Sequence, residues 1–311
     1  MKTFINQCKD KLVALYPELD VMVNSLVTNN PEYYDVAAYP ASIIQGLCPT
    51  PEQLDEALKG YIRFCDTFKQ KQLDFARNLN STYAHQDYDE VNREVYQNES
   101  YMTHTYYPAL LFSYLFSSNY YEILRVLVQH YLPLIRNTQG SLCEIGIGHG
   151  MLSGLALQNN PALKATGVDI SPVAVAVTAK VSAQMKVKQP EVIIADATLD
   201  IPVKNNAAMI CAEVLEHLPQ PQELLKQAYL ALDNGGLFFL TASINMESVD
   251  HLYLFHNDDE VIEMVQEAGF EVVEKHLAFL TAYNYRTDEA LAAKLKKRNN
   301  PSTSILILRK K

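Results

Sequence analysis

From residue 140 onward, short runs of β-branched and apolar residues alternate strictly with helix-like stretches, and nothing else in the chain limits its fold so sharply. "SLCEIGI", "KATGVDI", "EVIIADA", "AAMICAE" and "GLFFLTA" read as buried strands. "MLSGLALQ", the stretch "SPVAVAVTAKVSAQM" and the segment from Pro221 to Leu232 read as helices among them, with Ser171 expected to cap the second and Pro172 to open it. Strand and helix in alternation imply a mostly parallel sheet covered on both faces. "NDDEVIEMVQEAGF" opens on an Asn-x-x-Glu box and closes at Gly269. "FEVVEKHLAFL" and "TSILILRK" then end the chain as strands, with a helical insertion near Thr287 to Lys297 between them. They predict an antiparallel hairpin at the sheet edge.

Residues 1–139 follow a different grammar. They contain only Gly46 and Gly60 of the 11 glycines and no alternating β-branched runs, so they read as helices. Thr50-Pro51-Glu52-Gln53 matches a capping box with proline at the first helical position and opens a helix to about Asn80. A second helix is predicted from near Pro108 to near Ile135. "RNTQGS", residues 136–141, marks the boundary between an N-terminal helical unit (1–139), expected to act as a lid, and the sheet domain (140–311).

The formal net charge of -10 and pI of about 5.3 disfavour nucleic acid as a partner, because a phosphate backbone repels such a surface. The one dense basic run, "KLKKR" at Lys294 to Arg298, reads as a solvated helix end. The 5 cysteines form no CxxC pair, so neither a disulfide framework nor a zinc site is indicated and no metal is expected. A reducing, cytoplasmic setting fits that usage. "MKTFINQCKDKLVALYPELD" lacks the apolar run of a signal peptide. Polar residues interrupt the greasiest segment, "YYPALLFSYLFSSNYYEILRVLVQHYLPLI", which therefore reads as buried helix; no membrane association is expected, and a homodimer is left open.

"CEIGIGHGMLS", residues 143–153, places a glycine turn between the first strand and the first helix of the sheet domain. Glycines let backbone approach a ligand closely, and the helix N-terminus beyond offers unpaired N–H groups. The dinucleotide fingerprint GxGxxG, counted from Gly146 and Gly148, meets Met151 at its third glycine, which would crowd helix against strand. An NAD-dependent oxidoreductase is disfavoured on that ground.

The pattern present, Glu-x-Gly-x-Gly-x-Gly, resembles motif I of class I S-adenosylmethionine (SAM)-dependent methyltransferases. "GVDIS" puts Asp169 at the end of the second strand and "ADA" puts Asp196 at the end of the third. "MICAEVLEHLPQP" resembles the "EHL…P" segment of ubiquinone- and menaquinone-type methyltransferases, and "LDNGGLFFLT" and "DDEVIEMVQEAGFEVVE" resemble the family's later elements. The resemblance covers about 140–311. It implies a Rossmann-like doubly wound sheet of seven strands and SAM as cofactor. It also implies that Glu144 and the Gly146–Gly148–Gly150 turn face the methionine part and ribose, that Asp169, with Ile170 beside it, binds the ribose diol, that Asp196 and Ala197 lie against the adenine, and that Glu213 lines the pocket beneath the sulfonium.

Each residue also has an ordinary explanation. Asp169 would otherwise be a surface turn acid, and Asp196 a turn cap. Glu144 sits in a buried strand, where an acid needs a partner. Cys143 and Cys211 read as core. His149 reads equally as a ligand contact or an exposed loop residue. For chemistry, His217 after strand four is the nearest titratable group, and His251 and Tyr253 in "VDHLYLFH" follow strand five. Among the 19 tyrosines, "THTYYP" clusters His104, Tyr106 and Tyr107, and "AYNYR" adds Tyr283 and Tyr285. Aromatic faces attract sulfonium or ammonium cations, although packing accounts for any single tyrosine. His217, Tyr107 and Tyr253 are the catalytic candidates.

The sequence reading is therefore methyl transfer from SAM to a small metabolite such as an amino acid or an aromatic acceptor. Cyclisation of SAM to azetidine-2-carboxylate with release of methylthioadenosine is the alternative within the same fold, favoured by an aromatic cage with no room for a second substrate. An inactive SAM-fold scaffold would predict a broken glycine turn or a lost ribose acid, and neither is seen.

Overall fold

The computed structural model describes residues 1–77, 87–282, 288–297 and 299–311. Seven strands form one sheet: β1 (Ser141–Ile145), β2 (Lys164–Asp169), β3 (Glu191–Ile194), β4 (Asn206–Cys211), β5 (Leu232–Ile244), β6 (Phe270–Phe279) and β7 (Ser302–Lys310), in the order β3-β2-β1-β4-β5-β7-β6. The first five run parallel, and β7 lies antiparallel between β5 and β6. The expected edge hairpin is there, with β6 outermost. Strand order reverses between β1 and β4, the switch point at which open α/β sheets bind ligands beyond their carboxyl ends.

Period-two alternation sends successive side chains to opposite faces. Leu142, Ala208, Ile210, Phe239, Ile305 and Ile307 enter one apolar core. Cys143, Met209, Cys211, Phe238, Leu240 and Leu306 enter the other, so the two strand cysteines are core residues as expected. The first core is closed by α10 (Met151–Asn159) and α11 (Val173–Met185), and by residues of the N-terminal helices α1 (Lys2–Leu15), α2 (Asp20–Asn29), α3 (Tyr33–Leu47) and α4 (Pro51–Arg77). Apolar packing thus runs unbroken from the N-terminal helices into the sheet. Residues of α12 (Pro221–Ala231) and α13 (Asp258–Glu267) close the second core.

The capping box forms: Gln53 N–H donates to Thr50 Oγ1 (3.3 Å) and Thr50 N–H to Gln53 Oε1 (3.2 Å). The predicted end of that helix, Asn80, lies outside the described residues, as do Thr287 and Arg298. Beyond that gap, α5 (Tyr88–Val91) and α6 (Glu99–Tyr101) each run into a π-helical turn, Asn92–Tyr96 and Met102–Tyr106. The single helix predicted for Pro108 to Ile135 is interrupted. Tyr107–Phe116 (α7) stops at Ser117, whose backbone is extended (φ -106°, ψ 130°), and Ser118–Val126 (α8) restarts before a π turn and α9 (Leu132–Ile135). Ser117 Oγ donates to Asn119 Oδ1 (2.6 Å) and its carbonyl accepts from Tyr121 N–H (2.9 Å), the local side-chain competition by which Ser and Asn break helices. Ser171 does not cap α11 either, since its hydroxyl donates to the Tyr96 carbonyl (2.7 Å). Among the described residues no helix is long and apolar enough to cross a membrane.

Candidate functional site

The carboxyl ends of β1, β2, β3 and β4 open into a cavity lined by every residue of the expected cofactor set except Gly150. Gly146, Gly148 and Gly150 have φ of +66°, +51° and +71°. A Cβ on Gly146 would stand 2.6 Å from Val214 Cγ2, and one on Gly150, which caps α10, 2.8 Å from Thr178 Cγ2. Left-handed backbone and lack of room together leave glycine as the fit. Asp169 fixes the turn from β2: Oδ2 accepts from Gly148 N–H and Oδ1 from Ser171 N–H, both at 2.8 Å. Burial raises its pKa.

Glu144 is buried and accepts from Ser153 N–H (2.9 Å) on the first turn of α10. Burial, opposed by Ser153, pushes its carboxyl up to about 8. Asp196 Oδ1 accepts from both Thr198 N–H (2.9 Å) and Thr198 Oγ1 (2.6 Å), so it caps its own turn while lining the cavity beside Ala197. His149 is not an exposed loop residue: it is 5% exposed, and burial pulls its pKa down to about 4.

Glu213 follows β4 at φ +54°, a conformation non-glycine residues seldom hold outside sites that impose it. Thr241 and Ser243, two apart on β5 and so on one face, donate to its two carboxylate oxygens at 2.7 Å. Next to it lies a buried group that the sequence shows only in part. His217 Nδ1 is 3.0 Å from the Asp250 carbonyl and 3.4 Å from its carboxylate. Tyr96 and Tyr106 donate to the same Asp250 oxygen at 3.3 and 3.1 Å. Burial would lower the His217 pKa, but the Asp250 and Glu216 carboxylates outweigh it and raise it. Burial would raise Asp250, yet His217, His251 and its hydroxyl donors hold it below the usual range. His251 stacks edge-on to His217 (4.8 Å), and burial and His217 bring it down to about 4. Burial and Glu213 push Glu216 up to about 8. The expectation of no metal rested on cysteine spacing; Glu216, His217 and His251 nonetheless bring ligand-type atoms within 4.8 Å of one another.

The catalytic candidates divide. His217 lines the cavity. Tyr107 also lines it and lies over the glycine turn, its Cε1 3.4 Å from where a Gly148 Cβ would stand. Tyr253 is a correction: its ring packs on Phe255 (4.7 Å) and is not among the lining residues. Its N–H bonds the Glu216 carbonyl (2.9 Å), which turns the side chain toward the α12–α13 core. Of "THTYYP", Tyr106 and Tyr107 reach the cavity and His104 does not. Tyr283 and Tyr285 lie outside the described residues. Asp250 and Tyr96 went unmarked by sequence reasoning, although Asp250 stands beside His251 in a segment it had singled out.

A second cavity of about 570 Å³ adjoins the first. Phe64, Tyr120, Glu213, Ser248 and His251 line both.

Over 116 residues the chain is 29% identical to a ubiquinone biosynthesis O-methyltransferase of Pseudomonas savastanoi pv. phaseolicola, covering 36% of this chain and 47% of that one, so the chain spans about half the length of the curated relatives it matches. Its fold is similar to that of phosphoethanolamine N-methyltransferase 2 of Haemonchus contortus in complex with S-adenosyl-L-methionine (TM-score 0.50, 14% identity, 73% of this chain and 61% of that one). An O-methyltransferase from a trans-AT PKS multienzyme of Brevibacillus brevis, in complex with S-adenosyl-L-homocysteine, aligns at TM-score 0.49 and 15% identity over 60% of this chain and 71% of that one. A family model for the methyltransferase domain matches residues 116–287, more than half of the chain. The chain belongs to that methyltransferase-domain family.

Proposed function

We propose that the protein binds SAM in the first cavity and transfers its methyl group to a small-molecule acceptor held in the second. The observation that carries this reading is the pair of adjoining cavities, one formed around a glycine turn and buried carboxylates, the other offering room for a second substrate. The residues fit SAM: the turn admits no side chain at Gly146, and the carboxylates suit hydroxyls and cationic centres. Glu144 and the turn would take the methionine part, Asp169 with Ile170 the ribose, Asp196 and Ala197 the adenine, and Glu213 the underside of the sulfonium.

When bound, SAM supplies an electrophilic methyl carbon: the acceptor's lone pair forms the new bond as the carbon–sulfur bond breaks, leaving S-adenosylhomocysteine. The chain's part is position and proton handling. His217, oriented through Nδ1 by Asp250 and 4.8 Å ring to ring from His251, which lines both cavities, takes the acceptor's proton. Asp250 acts through His217 and is a positioning residue.

The tyrosines around the first cavity, including Tyr88, Tyr96, Tyr114 and Tyr120, favour a second reading, cyclisation of SAM within an aromatic cage. The adjoining cavity argues against it. Incubating the protein with SAM alone and analysing products by mass spectrometry separates the two. Methylthioadenosine above the non-enzymatic background, with a new amino acid, refutes methyl transfer. Intact SAM with measurable binding, followed by S-adenosylhomocysteine in an acceptor screen, is the expected result.

A further inference from the structure

We infer that the second cavity is the acceptor chamber and that it takes an acceptor with a rigid, apolar, aromatic-sized body and no anionic group. This inference rests on the proposed SAM-dependent reading and narrows its substrate class.

The chamber lies between α4, the break at Ser117 and the carboxyl end of β5. Its volume, about 570 Å³, falls within the range of roughly 300–1,000 Å³ that suits a drug-sized ligand. Tyr61, Phe64, Phe68 and Phe116 give it flat aromatic walls. Its polar groups are largely spent inside the protein. Gln72 donates to the Asn245 carbonyl (3.0 Å) and accepts from Glu247 N–H (2.9 Å). Asn119 accepts from Ser117 and donates to Thr303, and Ser243 donates to Glu213. A ligand body here therefore meets carbon and gains by leaving water.

Charge narrows the class further. Among the described lining residues the one permanent cation is Lys69, and it is ion-paired with Glu18. His251, held near a pKa of about 4, is neutral at pH 7. A carboxylate or phosphate would find as its one permanent cationic partner a Lys69 already paired with Glu18, and away from it would meet the cost that buried anions avoid only by pairing. Amino acids and phosphorylated amines are thus poor fits. The polar end of the chamber is the wall shared with the first cavity, where Tyr120, Glu213, Ser248 and His251 meet. A single hydroxyl on an apolar ring, directed at that wall, satisfies both ends.

The test is isothermal titration of the full chain, first with SAM and then, in the presence of S-adenosylhomocysteine, with 2-naphthol and with 2-naphthoate. 2-Naphthol should bind at least 10-fold more tightly than 2-naphthoate. Met22→Trp, which fills the chamber from α2, should weaken 2-naphthol at least 10-fold and change SAM affinity less than 2-fold. Leu73, 40% exposed at the rim, provides Leu73→Trp as a second variant should the first fail to fold. A protein that binds SAM but prefers 2-naphthoate, binds neither aryl compound, or binds 2-naphthol equally with the chamber filled overturns the inference. Failure to bind SAM refutes the underlying functional reading instead.

Discussion

SAM binding at neutral pH is expected to expel close to one proton, and Glu144 is the main source. With its carboxyl pushed up to about 8, Glu144 is roughly nine-tenths protonated at pH 7 in the free protein. SAM brings two cationic centres, the sulfonium and the methionine ammonium. One such charge ~5 Å from the carboxylate, at an effective dielectric of ~20, favours the ionised form by ~3 kcal/mol, or ~2 pH units. The pKa then falls to ~6, Glu144 becomes mostly ionised at pH 7, and ~0.8 proton leaves. The assay is calorimetric titration of SAM at pH 7 in buffers of different ionisation enthalpy, where the slope of observed heat against that enthalpy counts protons. Glu216 also sits near 8, so Glu144→Gln assigns the effect: release should drop by more than half. By linkage, SAM affinity should strengthen as pH rises from ~6 to 8 in the parent and less so in the variant. Proton uptake, or a release that Glu144→Gln leaves intact, would refute the reasoning.

Four further outcomes follow from the same geometry. Asp169→Asn, by weakening the proposed charge-assisted contact to ribose, should cost SAM affinity ~10- to 100-fold by calorimetry. Gly146→Ala places a Cβ 2.6 Å from Val214 at φ +66°, and chemical denaturation should show a loss of ~2 kcal/mol. Glu144 and Glu216 have folded-state pKa values above their unfolded ones, so the stability they contribute is complete below the ordinary carboxylate range and is lost as pH rises through about 8. The ligand-free melting temperature should accordingly fall over that window, and less steeply in Glu144→Gln. Finally, His217 must be neutral to accept a proton, and Asp250 raises its pKa, so the acid limb of a kcat–pH profile should lie above 6.5 in the parent and move to lower pH in Asp250→Asn.

What was legible in the sequence is what local spacing encodes. Strand runs alternating with helices implied the mostly parallel sheet, and Asn257 caps α13 through Glu260 N–H as its box implied. The glycine turn and Asp169 were brought together by the family resemblance, and the Gly148 N–H on Asp169 Oδ2 is the bond that joins them. Asp250 and His217 are 33 residues apart, on separate loops, and no periodicity links them. The break at Ser117 was hidden inside an apolar run whose average hydropathy reads as helix. Ser171 was misread because its hydroxyl answers to Tyr96, a tertiary partner 75 residues away, instead of to its own helix. Tyr253 was placed by chain proximity to β5, but it lies nine residues beyond Ile244 and packs its half-buried ring against the α12–α13 core.

The segment that covers the first cavity is tied to both halves of the candidate chemistry. Residues 88–106 reach the cofactor side through Ser171 Oγ on the Tyr96 carbonyl and Gln97 Nε2 on the Ile170 carbonyl (3.0 Å). They reach the His217 group through the Tyr96 and Tyr106 hydroxyls on Asp250. Both ties converge on Tyr96, backbone to one side and side chain to the other. Two π turns shape this stretch, and such turns, which widen the helical ring by one residue, recur where a helix must aim side chains at a site. Displacing the cover would therefore strip the loop after β2 of two bonds and the His217–Asp250 pair of two hydroxyl donors in one motion. Asp250 owes part of its low pKa to Tyr106, so an open cover would raise the pKa of that carboxylate while leaving it beside His217. One segment therefore holds both the loop after β2 and the His217–Asp250 pair, and its displacement would admit water to both together.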